Sequence, residues 1–201
     1  MKLELPKQNN YETAYSRAAE LLRESDWDAV ARETGTEYRD NLFTVPYFSS
    51  ACSITVPEVE FRDAELPLIE RILILHYLTT LAGHSAEGKL VQFKNLPGGS
   101  FYEATYRKRG PNLILRTFAA DSQSLLKAGE RLKGKAAEYG DVSVSIPVFP
   151  RIDATVILYE GDEEFPPEAS ILYTDTIIRF LSLEDVALLA GMIYKHLKSS
   201  L

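Results

Sequence analysis

The sequence predicts an α+β fold: a single domain whose mainly antiparallel sheet packs with helices around a buried central helix at about residues 66–82. Three observations carry that expectation. Apolar residues alternate with polar ones at 52–56 and, strictly, at 142–148, the period of half-buried strands. Leu66 to Ala82 is apolar nearly all round a helical axis, as suits a helix enclosed by other elements. No repeat, low-complexity linker or break in composition divides the 201 residues, a length that suits one substantial core.

From the N-terminus, Tyr11 to about Leu22 sets Ala14, Ala18, Leu21 and Leu22 at helical spacing, and "ESDWDAVARETG" adds a short helix ended by Gly35. In "ACSITVPEVEF", Cys52, Ile54 and Val56 share one strand face, with Ser53 and Thr55 on the other. Pro57 then shifts the phase, and Val59 and Phe61 resume out of register, as a bulge or bend would produce. Along 66–82 the polar positions Glu70, Arg71, His76, Thr79 and Thr80 scatter around the axis, and Gly83 is a natural stop. Leu90, Val91 and Phe93 read as a short strand and "NLPGG" as a turn. Ser100 opens a helix with Glu103 at the capping-box position, and Gly110-Pro111 closes it. A further helix runs from about Asp121 to Lys133 with Leu125, Ala128 and Leu132 on one side.

The last third carries the clearest strands. In "VSVSIPV", Val142, Val144, Ile146 and Val148 share a face, and Pro147, which has no N–H, places the strand at a sheet edge. "ATVILY" is apolar on both faces and reads as central, and Ile171 to Tyr173 add a shorter third strand. Ser182 caps the final helix with Asp185 at the capping-box position, and Val186, Leu189, Ala190, Ile193 and Leu197 form its buried stripe.

Composition narrows the functional classes. Lys and Arg number 22 against 29 Asp and Glu, a net charge of −7 with a pI near 5.1, so the chain repels phosphate backbones and no nucleic-acid partner is expected. The longest apolar run contains Glu70, Arg71 and His76, which argues against a membrane span. The N-terminal stretch "MKLELPKQNNYE" lacks the apolar core of a signal peptide, and the single Cys52 suits a reducing compartment, so a cytoplasmic location is expected.

Two loops are candidates for chemistry. "EGDEEFPPE" gathers Glu160, Asp162, Glu163, Glu164 and Glu168 after the central strand. Such a cluster can supply oxygen ligands to a hard cation or a carboxylate pair for acid–base work, although its spacing is not that of an EF-hand. The plainer reading is a solvated connection shaped by Pro166-Pro167, and a docking surface for a basic partner is a further alternative. In "LPGGSFYE", Gly98, Gly99 and Ser100 precede a helix, where exposed N–H groups favour anions; the structural alternative is a tight turn. Neither a Walker loop nor a dinucleotide fingerprint is present.

The remaining signals have plain explanations. Arg107, Lys108 and Arg109 complement the helix dipole, and Tyr102 and Tyr106, one turn apart, suit packing. His76, His84 and His196 form no zinc spacing; His76 reads as a neutral core histidine bonded to a neighbour, and His196 suits its helix terminus. Cys52, on the inward face of its strand beside Ile54 and Val56, behaves as a small hydrophobe.

The order "LILHYLTTLAG", "FKNLPGGSFYEATYRKR", "ILYEGDEEFPPEASILYTD" and "LSLEDVALLAGMIYKHL" resembles domain-of-unknown-function family 3786, over roughly Tyr11 to Leu197. The family occurs in anaerobic bacteria and archaea, and its relatives are often linked to four-cysteine iron–sulfur domains or to corrinoid and one-carbon metabolism. The resemblance therefore implies an accessory or small-molecule/cofactor-binding module. With Cys52 alone the chain holds no cluster itself, so no cofactor is assigned to it, and an iron–sulfur or corrinoid protein is the implied partner. If "LPGGS" and "GDEEFP" are shared family marks, one cleft is expected between them, with Gly98, Gly99, Ser100 and Tyr102 as one wall and Asp162, Glu163, Glu164 and Asp175 as an acidic lip. The alternatives are a small divalent-cation enzyme using residues 160–168 and a docking domain for an iron–sulfur partner. No catalytic residue is assigned.

Overall fold

The computed structural model describes residues 8–63, 65–80 and 88–201. Helices α1 (Gln8–Arg23) and α2 (Trp27–Thr34) come first. Asp26 caps α2 by accepting from the Ala29 amide at 3.1 Å, and Gly35 ends it in the left-handed region at φ 72°. Four antiparallel strands follow in sequence order: β1 (Glu37–Arg39), β2 (Leu42–Tyr47), β3 (Ser50–Thr55) and β4 (Glu60–Phe61). The β1–β2 hairpin goes beyond the expectation from sequence. So does the role of Pro57, which lies in the reversal between β3 and β4; Ile54 pairs with Phe61 across a hairpin, and the phase change is a turn instead of a bulge.

The central helix, α3, spans Leu68–Thr79. Ile72, Leu73, Ile74, Leu75, Tyr77 and Leu78 are all buried, as an axis apolar all round requires. The chain leaves the helix at Thr80, and Gly83 lies outside the described residues. Helices α1, α2 and α7 (Leu183–Ser199) pack on α3. Tyr77 stacks on Phe149 with centroids 4.3 Å apart. Its hydroxyl donates to the Thr34 carbonyl at 2.5 Å and accepts from the Arg151 amide at 3.1 Å, tying α3 to α2 and to the strands behind it.

The second sheet is antiparallel, in the order β5 (Leu90–Gln92), β9 (Glu168–Thr174), β8 (Ile152–Tyr159), β7 (Val142–Phe149) and β6 (Lys135–Ala136). Strand β8 is central, as expected. Strand β7 is one place in from the border, because the two-residue β6 pairs with Val144 and Ser145 and stops before Pro147. Between β5 and β6 the chain forms α4 (Gly99–Arg109), α5 (Pro111–Phe118) and α6 (Gln123–Arg131). Gly110-Pro111 does close α4, but it also starts α5, with proline at the first turn where its missing N–H costs nothing.

The expected Ser100–Glu103 capping box does not form. Gly98 is the cap of α4, at φ 80°, and makes no side-chain bond. A Cβ on Gly99 would lie 2.0 Å from the Phe93 carbonyl oxygen, so the chain must enter the helix on bare backbone. At α7 the Ser182–Asp185 box is complete. The two sheets meet where the Phe48 amide donates to the Val148 carbonyl at 3.0 Å. One apolar cluster runs from Phe43 and Val45 through Leu75 and Leu78 to Val144, Val156 and Ile171, making a single α+β domain.

Removing the Tyr77 hydroxyl tests the tie between these layers. Tyr77→Phe keeps the stack on Phe149 but orphans a buried carbonyl and amide, so unfolding in urea at neutral pH should show a loss of about 1–3 kcal/mol. A loss well under that range would mean the tie is redundant.

Candidate functional site

Two polar side chains of α3, Glu70 and His76, pair with residues of α7. His76 Nδ1 lies 2.9 Å from Asp185 Oδ1. The other Asp185 oxygen accepts from the Ser182 amide at 3.1 Å and from the Ser182 hydroxyl at 2.6 Å, so the buried carboxylate both caps α7 and orients an imidazole. A carboxylate partner fixes the hydrogen on Nδ1, leaving Nε2 as an acceptor in the neutral ring. Among the described residues Nε2 makes no hydrogen bond. His76 keeps 27% of its side chain exposed. It borders a groove of about 570 Å³ whose walls include Thr13, Arg17, Thr79 and Ser182. The expectation of a histidine bonded to a neighbour holds, but the ring lies at a groove wall and not within the core.

At the other end of the α3–α7 seam, Glu70 is buried and accepts from Lys195 Nζ at 2.6 Å and His196 Nε2 at 3.0 Å. Burial pushes its carboxyl upward, but the bonds from His196 and Lys195 outweigh that and hold it at about 2. His196 therefore serves a buried carboxylate as well as its helix terminus, and its ring stacks on Phe48 with centroids 4.0 Å apart. Beside this pair is a smaller cavity of about 320 Å³, bordered by Tyr47, Cys52, Asp63, Glu65, Leu66 and Glu70 among others. Burial, with Asp63 alongside, pushes the Cys52 thiol up to about 12, so it stays protonated and behaves as an apolar wall.

The residues singled out from sequence are not gathered into one cleft. Asp162 Oδ1 accepts from the amides of Glu164 at 2.8 Å and Phe165 at 2.7 Å, shaping its own turn. Glu163 and Glu164 are exposed. Glu168, at the end of that loop, bonds to Arg107 Nη1 at 2.8 Å, which fixes the loop near the C-terminal end of α4. Gly98, Gly99 and Ser100 sit at the opposite end, about 15 Å away along eleven helical residues. The Gly99 amide is occupied by the Leu96 carbonyl at 2.8 Å. Tyr102 borders a separate cavity of about 520 Å³ with Thr105, Arg109 and Leu183, whereas Asp162 borders one with Tyr159 and Phe165. Asp175 follows the far end of β9 from Glu168, so it does not join the acidic lip; its amide donates to the Lys89 carbonyl at 2.9 Å. A seven-residue strand, some 20 Å long, separates them.

Among the described residues no group of three or more His, Cys, Asp or Glu is placed to hold a metal ion, and no helix is long and apolar enough to cross a membrane. His84 lies outside the described residues. The residues that do converge escaped the sequence reading because Glu70 meets Lys195 across 125 positions and His76 meets Asp185 across 109. The only local signal was the presence of ionisable groups in a helix otherwise apolar all round.

Fold and cavities together define a single-domain α+β protein with a polar seam between two helices and a cavity at each end of it. Residues 26–196 match the family described as "Domain of unknown function (DUF3786)", and the chain belongs to that family. No curated protein and no solved structure matches the chain. The matched span contains every residue of the Glu70 cavity, whereas the α1 wall of the larger groove precedes it.

Glu70 makes a pH prediction. Its carboxyl sits at about 2 in the fold against 4.5 ordinarily, so its stabilisation is complete above pH 4.5 and disappears as pH falls from there toward 2. The difference amounts to about 3 kcal/mol. Urea unfolding of the wild type should lose that increment over this interval, and Glu70→Gln should lack it; equal pH slopes in the two proteins would refute the assignment.

Proposed function

We propose that the chain is a binding module, not a catalyst, and that it takes a small polar molecule bearing an acidic group in the groove between α1, α3 and α7. The observation that carries this reading is His76, oriented by buried Asp185, at the wall of the groove of about 570 Å³ with the Arg17 guanidinium on the same lining. The Arg17 guanidinium suits a carboxylate or phosphate, while the Nε2 acceptor of His76 suits an O–H or N–H donor on the same molecule, and the Thr79 hydroxyl oxygen adds a further acceptor. On the described part of the groove wall, the Ser182 hydroxyl is bonded to Asp185 and not to His76. The resemblance to relatives that accompany iron–sulfur or corrinoid proteins supports an accessory role in an anaerobe's metal-, corrinoid- or one-carbon-linked metabolism, with any cluster or corrinoid carried by the partner.

Partner docking is a second reading, favoured by Phe101 at 89% and Tyr102 at 60% exposure near the start of α4. A Phe101→Ser/Tyr102→Ser double variant should lose a co-purifying protein from the native host; retention would remove that reading.

For the groove, nucleotides, folates, corrinoids and short phosphates or dicarboxylates should be titrated while amide signals are followed by NMR. At least one acid-bearing compound should move Thr13, His76 and Thr79, and Arg17→Ala should weaken it about tenfold or more, the loss of one charge-assisted hydrogen bond. A panel that leaves all these signals in place would overturn the reading.

A further inference from the structure

The contact between α4 and α7 carries a separate inference. The two helices run side by side in the same direction. A Cβ on Gly98, at the start of α4, would lie 3.4 Å from the Leu183 side chain, and one on Gly110, just past its end, 2.7 Å from the Ala190 Cβ. Along the stretch between these points lies the cavity of about 520 Å³. Tyr102, Thr105 and Arg109, three and four residues apart, share the face of α4 that lines it. Leu183, Glu184 and Ala187 of α7 form the opposite wall, where the buried Ala187 takes up little room.

The two walls carry opposite charges that do not meet. Among the described residues, neither the Arg109 guanidinium nor the Glu184 carboxylate makes a hydrogen bond, ion pair or ring contact. Arg109 is half-buried, so it gives up hydration without a protein partner in return. Its near neighbour on α4 shows the ordinary outcome: Arg107 lies 2.8 Å from Glu168 and 3.9 Å from Glu103. A helical side chain leans toward the N-terminus, which carries Arg109 back along the cavity toward Thr105. Glu184 stands across from it, exposed, and the Tyr102 ring, 60% exposed, offers apolar surface beside Leu183.

We infer that this cavity binds a small zwitterion, an amino acid with an apolar side chain: its carboxylate at Arg109, its ammonium at Glu184 and its side chain against Tyr102 and Leu183. Opposite charges fixed on facing walls select a molecule that carries both, because an ion of one sign alone meets a like charge on one wall. The volume suits a compact ligand of this kind. The site is separate from the His76 groove. Ser182 borders both, but its hydroxyl is held by Asp185.

Three related probes divide the claim: phenylalanine carries both charges, phenethylamine lacks the carboxylate and 3-phenylpropionate lacks the ammonium. Amide NMR titration of the full chain at neutral pH should show phenylalanine shifting Tyr102, Thr105 and Ala187 while Thr13 and Thr79 stay in place. Phenethylamine should bind about tenfold more weakly, the loss of a charge-assisted bond to a half-buried guanidinium. For 3-phenylpropionate the loss should be about threefold, as suits the exposed Glu184. Arg109→Met should erase the preference for phenylalanine over phenethylamine, and Glu184→Gln the preference over 3-phenylpropionate. If a variant fails to fold, the ranking on the wild type still decides. Shifts at Thr13 and Thr79 in place of these three residues, equal affinity for all three probes, or preferences unchanged in folded variants would each overturn the proposal.

Discussion

Burying α3 on most of its surface is the constraint from which the remaining architecture follows. A helix so largely enclosed has little room to leave a polar group in water, and α3 carries Glu70, His76 and Tyr77. Each must find a partner on a packed neighbour or face the cost of an unsatisfied group in a low-dielectric interior. Glu70 finds Lys195 and His196, His76 finds Asp185, and Tyr77 finds Thr34 and Arg151. An early residue of α3 meets a late residue of α7 and the reverse, so the two helices run antiparallel with their register pinned at both ends.

That register also explains where the open space lies. Along the seam, Glu70 and His76 are six residues and some 9 Å apart. Between them Leu73 on α3 and Leu189 and Ile193 on α7 are buried, and a cavity borders each pinned contact. The groove at His76 and the cavity at Glu70 are thus two consequences of one packing arrangement, and the same side chains that hold the helices together line the spaces. The capping box of α7 shows this economy most clearly, since Asp185 caps the start of the helix, anchors Ser182 and orients His76 with one carboxylate.

Features with a local cause were legible in the sequence. The alternation at Val142 to Val148, the all-round apolar run of α3 and the Ser182–Asp185 box each arise from residues within one element, and each is present as expected. Strand β2 carried a similar alternation, with Phe43, Val45 and Tyr47 buried in turn, but Pro46 between them reads as an interruption. Helix α5 was hidden because Gly-Pro signals an ending as readily as a beginning. The candidate loops were misjoined for a different reason. Glycine-rich and acidic stretches announce themselves in any sequence, whereas which end of β9 or α4 each occupies is settled by the sheet, 60 or more positions away in the chain. Glu70 and His76 announced nothing beyond being polar in apolar company, and their partners lie on the last helix.

The borders of the larger sheet bear on how this protein behaves in a crowded solution. On one side, β7 is covered by the two residues of β6 near its start; near its end, Pro147 offers no N–H and the Val148 carbonyl is already taken by Phe48. On the other side, β5 contributes only three residues, and Glu168 at the open part of β9 is engaged by Arg107. A foreign strand arriving at either rim meets a ladder interrupted every few rungs. A sheet whose strands β7 and β8 carry Val142, Val144, Ile146, Val148, Val156 and Ile157 can therefore stay five-stranded without offering itself as a template for fibrils.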